Sequence, residues 1–236
     1  MKNGIFYIIL FFGFIYLYIN NNHYEKFSNI RFLHIPKNAG TSFRESYPNI
    51  YSTNHFNAFP LKNKINIIII RNPYSRLQSI FAHIQKRTND KTCNDLVHFK
   101  TLDSLAKAYY NTNSKFHKDA TKLLYWTKNK LNLYKIFNKN GGCPRRIDIP
   151  CIHWAPQYFY LENKKNIDYI LRFEKLDSDI NLLRKNKDLK KFFIRDINHK
   201  KKSSDFFKKN TEITPLVSKL VKDIYGLDIV LYKKYK

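Results

Sequence analysis

The sequence predicts an α/β fold: a single domain with a central parallel sheet flanked by helices. Two strand–loop–helix units in succession predict it. "IRFLHI" runs into a Pro-Lys loop and then a helix, and "INIIIIR" runs into Asn72-Pro73 and an amphipathic segment. A third stretch, "IDYILRFEKLDSDINLLRK", repeats the pattern near the end. Strands that alternate with helices feed parallel sheets, because a helix is the natural crossover between parallel neighbours.

Taken in order, Ile30–Ile35 reads as a short buried strand, Pro36–Thr41 as a loop, and Ser42 as the opening of a helix. Ile65–Arg71 is the clearest strand: an unbroken β-branched run suits a strand covered on both faces. Asn72-Pro73 ends it. Tyr74–Lys86 then carries Leu77, Ile80, Phe81 and Ile84 at helical spacing. The middle, Thr88 to Lys139, reads as mainly helical and rich in Lys, Tyr and Asn. Tyr169–Arg172 is a further strand feeding a helix. Thr214-Pro215 starts a last helix, with proline in its first turn and Gly226 at its stop. A charged loop, "NHKKKSSDFFKKN", breaks the pattern at 198–210, and no repeat or Gly/Ser linker appears.

The amino terminus has a different character. One lysine precedes an uncharged apolar run of fifteen residues, Ile5–Ile19, and asparagines follow. At about 1.5 Å per residue the run falls slightly short of a hydrocarbon core. Apolar on all sides, it suits a short membrane anchor over 1–22 or a signal h-region, better than a helix of a soluble domain. Tyr18, Ile19 and Asn20 make a poor signal-peptidase site, which favours an uncleaved signal anchor with a lumenal body over 28–236. Thin secretory membranes accommodate such a span. Cys143 and Cys151 bracket "CPRRIDIPC" closely enough for one disulfide, leaving Cys93 over; there is no Cys-x-x-Cys and no histidine pair at zinc spacing. The net charge of +25 should attract anions such as nucleic acid, phospholipid head groups or acidic glycans, although a merely solvated lysine surface would look the same.

Chemistry concentrates in two loops. A strand-to-helix loop exposes backbone N–H groups at a helix amino terminus, where phosphate and sulfate oxygens bind. In "PKNAGTS" Lys37 adds a point charge, Gly40 permits close backbone approach, and Thr41 and Ser42 add hydroxyls. A nucleotide P-loop places its lysine after the second glycine. Here the lysine comes three residues before the only glycine of the loop, which argues against a nucleoside triphosphatase. In "IIIIRNPYSRLQS" Arg71 stands at a strand end and Ser79 in the following helix, placed to offer an anion a forked cation and a hydroxyl.

The pair "HIPKNAGTSF" and "IIRNPYSRLQSIF" resembles the two nucleotide-binding signatures of the Golgi carbohydrate sulfotransferases, which use 3′-phosphoadenosine 5′-phosphosulfate (PAPS). "HWAPQ" (His153–Gln157) and "IDYILRFEKLDSDI" also resemble stretches of that family, and the likeness runs from about Ile30 to the carboxyl terminus. The resemblance implies a P-loop-like sulfotransferase architecture, a type II anchor in the Golgi membrane, and PAPS as co-substrate without a metal. It implies that Lys37 contacts the bridging oxygen of the leaving nucleotide, and that Asn38, Ala39, Gly40, Thr41 and Ser42 supply backbone and hydroxyl contacts. Arg71 and Ser79 would clamp the 3′-phosphate, and Lys202 and Ser203 of "HKKKSS" would close over the nucleotide.

A sugar hydroxyl also needs a base to take its proton. His55 of "STNHFNAF" lies where heparan-type relatives keep a catalytic histidine, and His153 is the second candidate; His34, on the strand entering the first loop, packs. The expected reaction is in-line sulfuryl transfer from PAPS to a carbohydrate hydroxyl, of a neutral or an anionic glycan, with tyrosine hydroxyls as the alternative acceptors. One alternative is a P-loop-like kinase or nucleotide-binding protein, but no acidic residue ends the Ile65–Ile70 strand to hold a metal. Another is a non-catalytic polyanion-binding protein, for nucleic acid for instance, which leaves the order of the two loops unexplained.

Overall fold

A computed structural model of the chain describes residues 29–53, 60–86, 98–124, 152–161, 166–198 and 210–235. The apolar run of 1–22, His55, the three cysteines and the 199–209 part of the charged loop lie outside them. No helix among the described residues is long and apolar enough to cross a membrane.

The described strands are β1 (Ile30–Leu33), β2 (Tyr51–Ser52), β3 (Ile65–Ile70) and β4 (Tyr169–Arg172). They form one parallel sheet in the order β2-β1-β3-β4. The helices are α1 (Gly40–Ser46), α2 (Pro73–Gln85), α3 (Leu102–Tyr110), α4 (His117–Leu123), α5 (Leu176–Lys185) and α6 (Pro215–Tyr235), and short 3₁₀ turns span Ile152–Trp154, Gln157–Leu161 and Phe173–Lys175. The α/β prediction holds.

Successive side chains of a strand point to opposite faces, so the run of isoleucines in β3 is shared between two cores. Ile67 and Ile69, with Ile30 and Phe32 of β1, meet α1, α5 and the 189–197 segment. Ile68 and Ile70, with Leu33, meet α2, α3, α4 and α6. Being covered on both faces is why β3 has no polar residue after Asn66. That asparagine is buried at the strand's entry, where its amide donates to the carbonyls of Leu61, Lys64 and Asn166 at 2.8 Å each.

At seven residues, α1 is too short to persist alone. It is held by stacking: Phe43 lies 4.0 Å (ring centroids) from Phe32 of β1, and Tyr47 and Phe193 meet its edge at 5.0 and 6.2 Å. The helix after β3 begins at Pro73, one residue before its expected start, with the Asn72 side chain accepting from the Tyr74 N–H at 2.9 Å.

Other boundaries also differ from the sequence expectation: β1 ends at Leu33 and not at Ile35, α1 starts at Gly40 and not at Ser42, and β3 ends at Ile70 and not at Arg71. The two-residue β2 was not expected; it is defined by pairing with Arg31 and Phe32 rather than by its own pattern. Gly226 does not stop the last helix, which passes through a local distortion at Tyr225 (φ −112°, ψ 25°) and continues to Tyr235. Tertiary contacts carry it on. The Tyr225 hydroxyl donates to the Trp154 carbonyl at 2.9 Å, and Asp228 and Leu231 are buried beyond the glycine. A Cβ on Gly226 would meet nothing within 4 Å. Gly226→Ala is therefore expected to stabilise the protein by about 0.5–1 kcal/mol, read in a chemical-denaturation midpoint, by restricting the unfolded chain.

Candidate functional site

The strand order brings the two signature loops together. The chain leaves β1 for β2 on one side and returns to β3 on the other, and β1 and β3 pair directly from Ile30↔Ile65 to Leu33↔Ile68. Their carboxyl ends flank the point where the connections diverge, the position at which open α/β sheets bind ligands. The loop after β1 and the loop after β3 meet there, and an Arg71 Nη1–H donates to the Lys37 carbonyl at 3.1 Å.

In the first loop Lys37 (φ 67°) and Ala39 (φ 60°) both adopt the left-handed conformation, unusual for residues with a Cβ. Ala39 is the residue preceding α1; it supplies no side-chain cap, and the first turn carries no acidic residue. The first intrahelical bond runs from the Phe43 N–H to the Ala39 carbonyl at 2.9 Å. The amides ahead of it, on Gly40, Thr41 and Ser42, sit at the positive end of the helix. Thr41 is exposed, Lys37 half-buried and Ser42 buried.

Gly40 is required by a neighbour inside the protein. A Cβ there would lie 1.7 Å from His34 Nε2, so the glycine allows the helix start to pack on the imidazole. His34 is buried, as expected of a packing residue, and its backbone N–H donates to Thr53 Oγ1 at 3.0 Å. Gly40→Ala is expected to cost about 1–3 kcal/mol, measured by thermal unfolding. Adding His34→Ala should make the double variant less destabilised than the sum of the two singles.

The Asn38 side chain ties the first loop to the scaffold. It is wholly buried, and its Nδ2 donates to the Ile69 carbonyl at 2.7 Å and to Gln157 Oε1 at 2.6 Å. Arg71 directs its Nε–H to Ser75 Oγ at 3.1 Å and stacks its guanidinium 4.1 Å from the centre of the Phe173 ring. The hydroxyl that Arg71 reaches is thus Ser75; Ser79 stands one turn further along α2, half-buried. Burial lowers the Arg71 pKa to about 10, with the nearby charge of Arg76 adding to the shift and Glu174 opposing it. The cation persists at neutral pH, yet it has lost water that an anion would replace.

Several residues of the site had no role in the sequence prediction. Gln157, wholly buried, accepts from the Arg71 N–H at 2.8 Å and donates from Nε2 to the Arg71 carbonyl at 2.7 Å. Arg76, 1% exposed, donates to the carbonyls of Pro36 (3.2 Å), His153 (3.2 Å) and Ala155 (2.8 Å). Asp228 accepts from the N–H groups of Gln157 (2.9 Å) and Tyr158 (2.8 Å). Burial raises the Asp228 carboxyl above its usual range against the pull of Arg76 and these two N–H groups. Glu174 accepts from the Asn72 N–H at 2.9 Å and from the Tyr232 hydroxyl at 3.1 Å. One signal for Arg76 and Asp228 was available. Arg76 is in register with Ile80 and Ile84, and Asp228 with Val221, Ile224 and Leu231, so each charge sits on an apolar helix face.

Of the histidines proposed as base, His55 lies outside the described residues, as do Lys202 and Ser203. His153 packs its ring 4.9 Å from that of His83 on α2, while its carbonyl holds Arg76. Among the described residues no group of three or more His, Cys, Asp and Glu side chains is placed to hold a metal ion. The Asp177-Ser178-Asp179 triplet opens α5, where the Asp179 carboxylate accepts from the Arg172 N–H at 2.7 Å and Nε–H at 2.9 Å.

Comparison with known proteins agrees with this arrangement at the level of a family. The family model described as "Sulfotransferase family" matches residues 14–236. No curated protein and no solved structure matches the chain.

Proposed function

The chain belongs to the sulfotransferase family, and from that premise we propose that it transfers the sulfuryl group of PAPS to a hydroxyl of a carbohydrate. The observation that most supports this donor is the junction of the two loops. An uncapped helix start faces the crevice from one strand end, and a desolvated arginine, tied to the Lys37 carbonyl, stands at the next. A donor with phosphate at two positions suits two adjacent anion sites better than a single phosphate does.

When bound, PAPS supplies an activated sulfuryl group on a phosphate leaving group. The α1 amides of Gly40, Thr41 and Ser42 hold its 5′ oxygens, and Arg71 with Ser79 holds the 3′-phosphate. Asn38 and Ala39 set the backbone path of the first loop. His55 takes the proton of the acceptor hydroxyl as that oxygen displaces the phosphate from sulfur. His153 is the second candidate for this task. Lys37 neutralises charge on the departing phosphate oxygen, as preorganised donors do in phosphoryl transfer. Lys202 and Ser203 close over the nucleotide. The excess of positive charge, +25 over the chain, suits an anionic glycan as acceptor. We further propose that 1–22 anchors the chain as a type II protein of the Golgi membrane with its body in the lumen.

The test is incubation of the full chain with radiolabelled PAPS and a panel of neutral and uronate-containing glycans, beside calorimetry with adenosine 3′,5′-bisphosphate (PAP). Label on a glycan and saturable PAP binding are expected. Absence of PAP binding by folded protein rejects the donor, and PAP binding without label on any glycan of the panel rejects the acceptor.

A further inference from the structure

Beyond the end of β3 the peptide of Arg71 pairs with no strand among the described residues. Gln157 replaces one: its side-chain amide accepts from the Arg71 N–H at 2.8 Å and donates to the Arg71 carbonyl at 2.7 Å. The same Oε1 accepts from Asn38 Nδ2 at 2.6 Å. A single amide thus touches the middle of the first loop and the first residue of the second. Its own backbone is fixed in turn, because Asp228 of α6 accepts from the Gln157 and Tyr158 N–H groups. Arg76 of α2 holds the preceding carbonyls of His153 and Ala155. Gln157 is wholly buried, so it cannot serve as a surface contact to a ligand.

We propose that Gln157 is a positioning residue that sets the spacing between the two donor-binding loops. The proposal rests on the donor assignment above. Glutamine is suited to the task in a way that its isosteres are not. One end must accept from two donors while the other donates to a carbonyl, and only a carboxamide, or a protonated carboxyl, does both without charge. A glutamate here would be short of a donor for the Arg71 carbonyl. It would also stand near the Asp228 carboxylate, with Arg71 and Arg76 as the other charges around it. Ionised, it would repel the Arg71 carbonyl; protonated, its O–H would restore the missing bond.

The experiment is calorimetric titration of the full-length chain with PAP, with donor and acceptor KM measured in parallel. Gln157→Ala is expected to weaken PAP binding and raise donor KM by roughly tenfold to a hundredfold, the loss that follows when a loop no longer aims one charge-assisted hydrogen bond at the anion. Acceptor KM should not change. Gln157→Glu, taken relative to the wild-type chain at each pH, should bind PAP poorly at about pH 8 and recover towards about pH 5.5 as its carboxyl takes up a proton. The ratio removes the titration of the PAP phosphates themselves. Wild-type protein that does not bind PAP overturns the donor assignment, and this inference with it. Wild-type binding together with unaltered affinity in Gln157→Ala overturns the inference alone. Should Gln157→Ala fail to fold, a Gln157→Glu affinity ratio that does not vary with pH does the same.

Discussion

Lys37→Ala is expected to lower the rate of sulfuryl transfer by about a thousandfold, at the upper end of what loss of one preorganised charge donor costs an enzyme. The fold should survive. The left-handed backbone at position 37 is held by the bond from Arg71 to its carbonyl, which does not involve the side chain, and alanine tolerates that conformation no worse than lysine does. Melting temperature and PAP affinity should therefore change far less than kcat. That split distinguishes charge stabilisation in the transition state from uniform donor binding. Lys37→Arg should not restore the rate, because a planar fork does not reproduce a compact ammonium. Near-wild-type turnover of Lys37→Ala at low PAPS would remove Lys37 from the mechanism.

Arg76→Ala is expected to destabilise the protein by about 3–5 kcal/mol, lowering the melting temperature by about 10 °C for a chain of this size. Three carbonyls, on Pro36, His153 and Ala155, lose their donor at once. The buried Asp228 also loses a cation that favours its ionised form. The pH dependence follows from the sign of that shift. A carboxyl whose folded pKa lies above its unfolded value contributes stability that is present below the unfolded pKa and lost as pH rises through the folded one. Burial already puts Asp228 on that side, and removing Arg76 pushes its folded pKa higher still. The deficit of Arg76→Ala relative to wild type should therefore be smaller at about pH 5 than at about pH 8, as thermal unfolding at the two values would show. A deficit independent of pH would mean that the lost carbonyl bonds account for the whole effect and that Asp228 is not coupled to Arg76.

Both variants concern the joint between the two loops, and it was legible only in part. The loops themselves were visible because each is local. Order of residues sets the path from β1 through Pro36–Ala39 into α1, and the β-branched run of β3 ends at an Asn-Pro pair that caps the next helix through its own side chain. The contacts that fix Arg71 were harder. Helical spacing along α2 does not reveal that the Arg71 guanidinium bonds the Ser75 hydroxyl and covers the Phe173 ring.

Asn38 shows the same division. Its place in an anion-binding loop is local, whereas the bonds of its side-chain amide to the Ile69 carbonyl and to Gln157 are not. Gly226 read as a helix stop because glycine weakens a helix locally, yet contacts of Tyr225, Asp228 and Leu231 outweigh about 1 kcal/mol of propensity. Hydrophobic period and turn chemistry act within a dozen residues, so they were sufficient for β1, β3, β4 and the order of the loops, while the family resemblance came from the two loop motifs themselves. The bonds that join Arg76, Gln157 and Asp228 to the two loops connect residues far apart in the chain. Such pairings arise only when burial brings the polar groups of distant segments together away from water, and that choice is made by the packed fold.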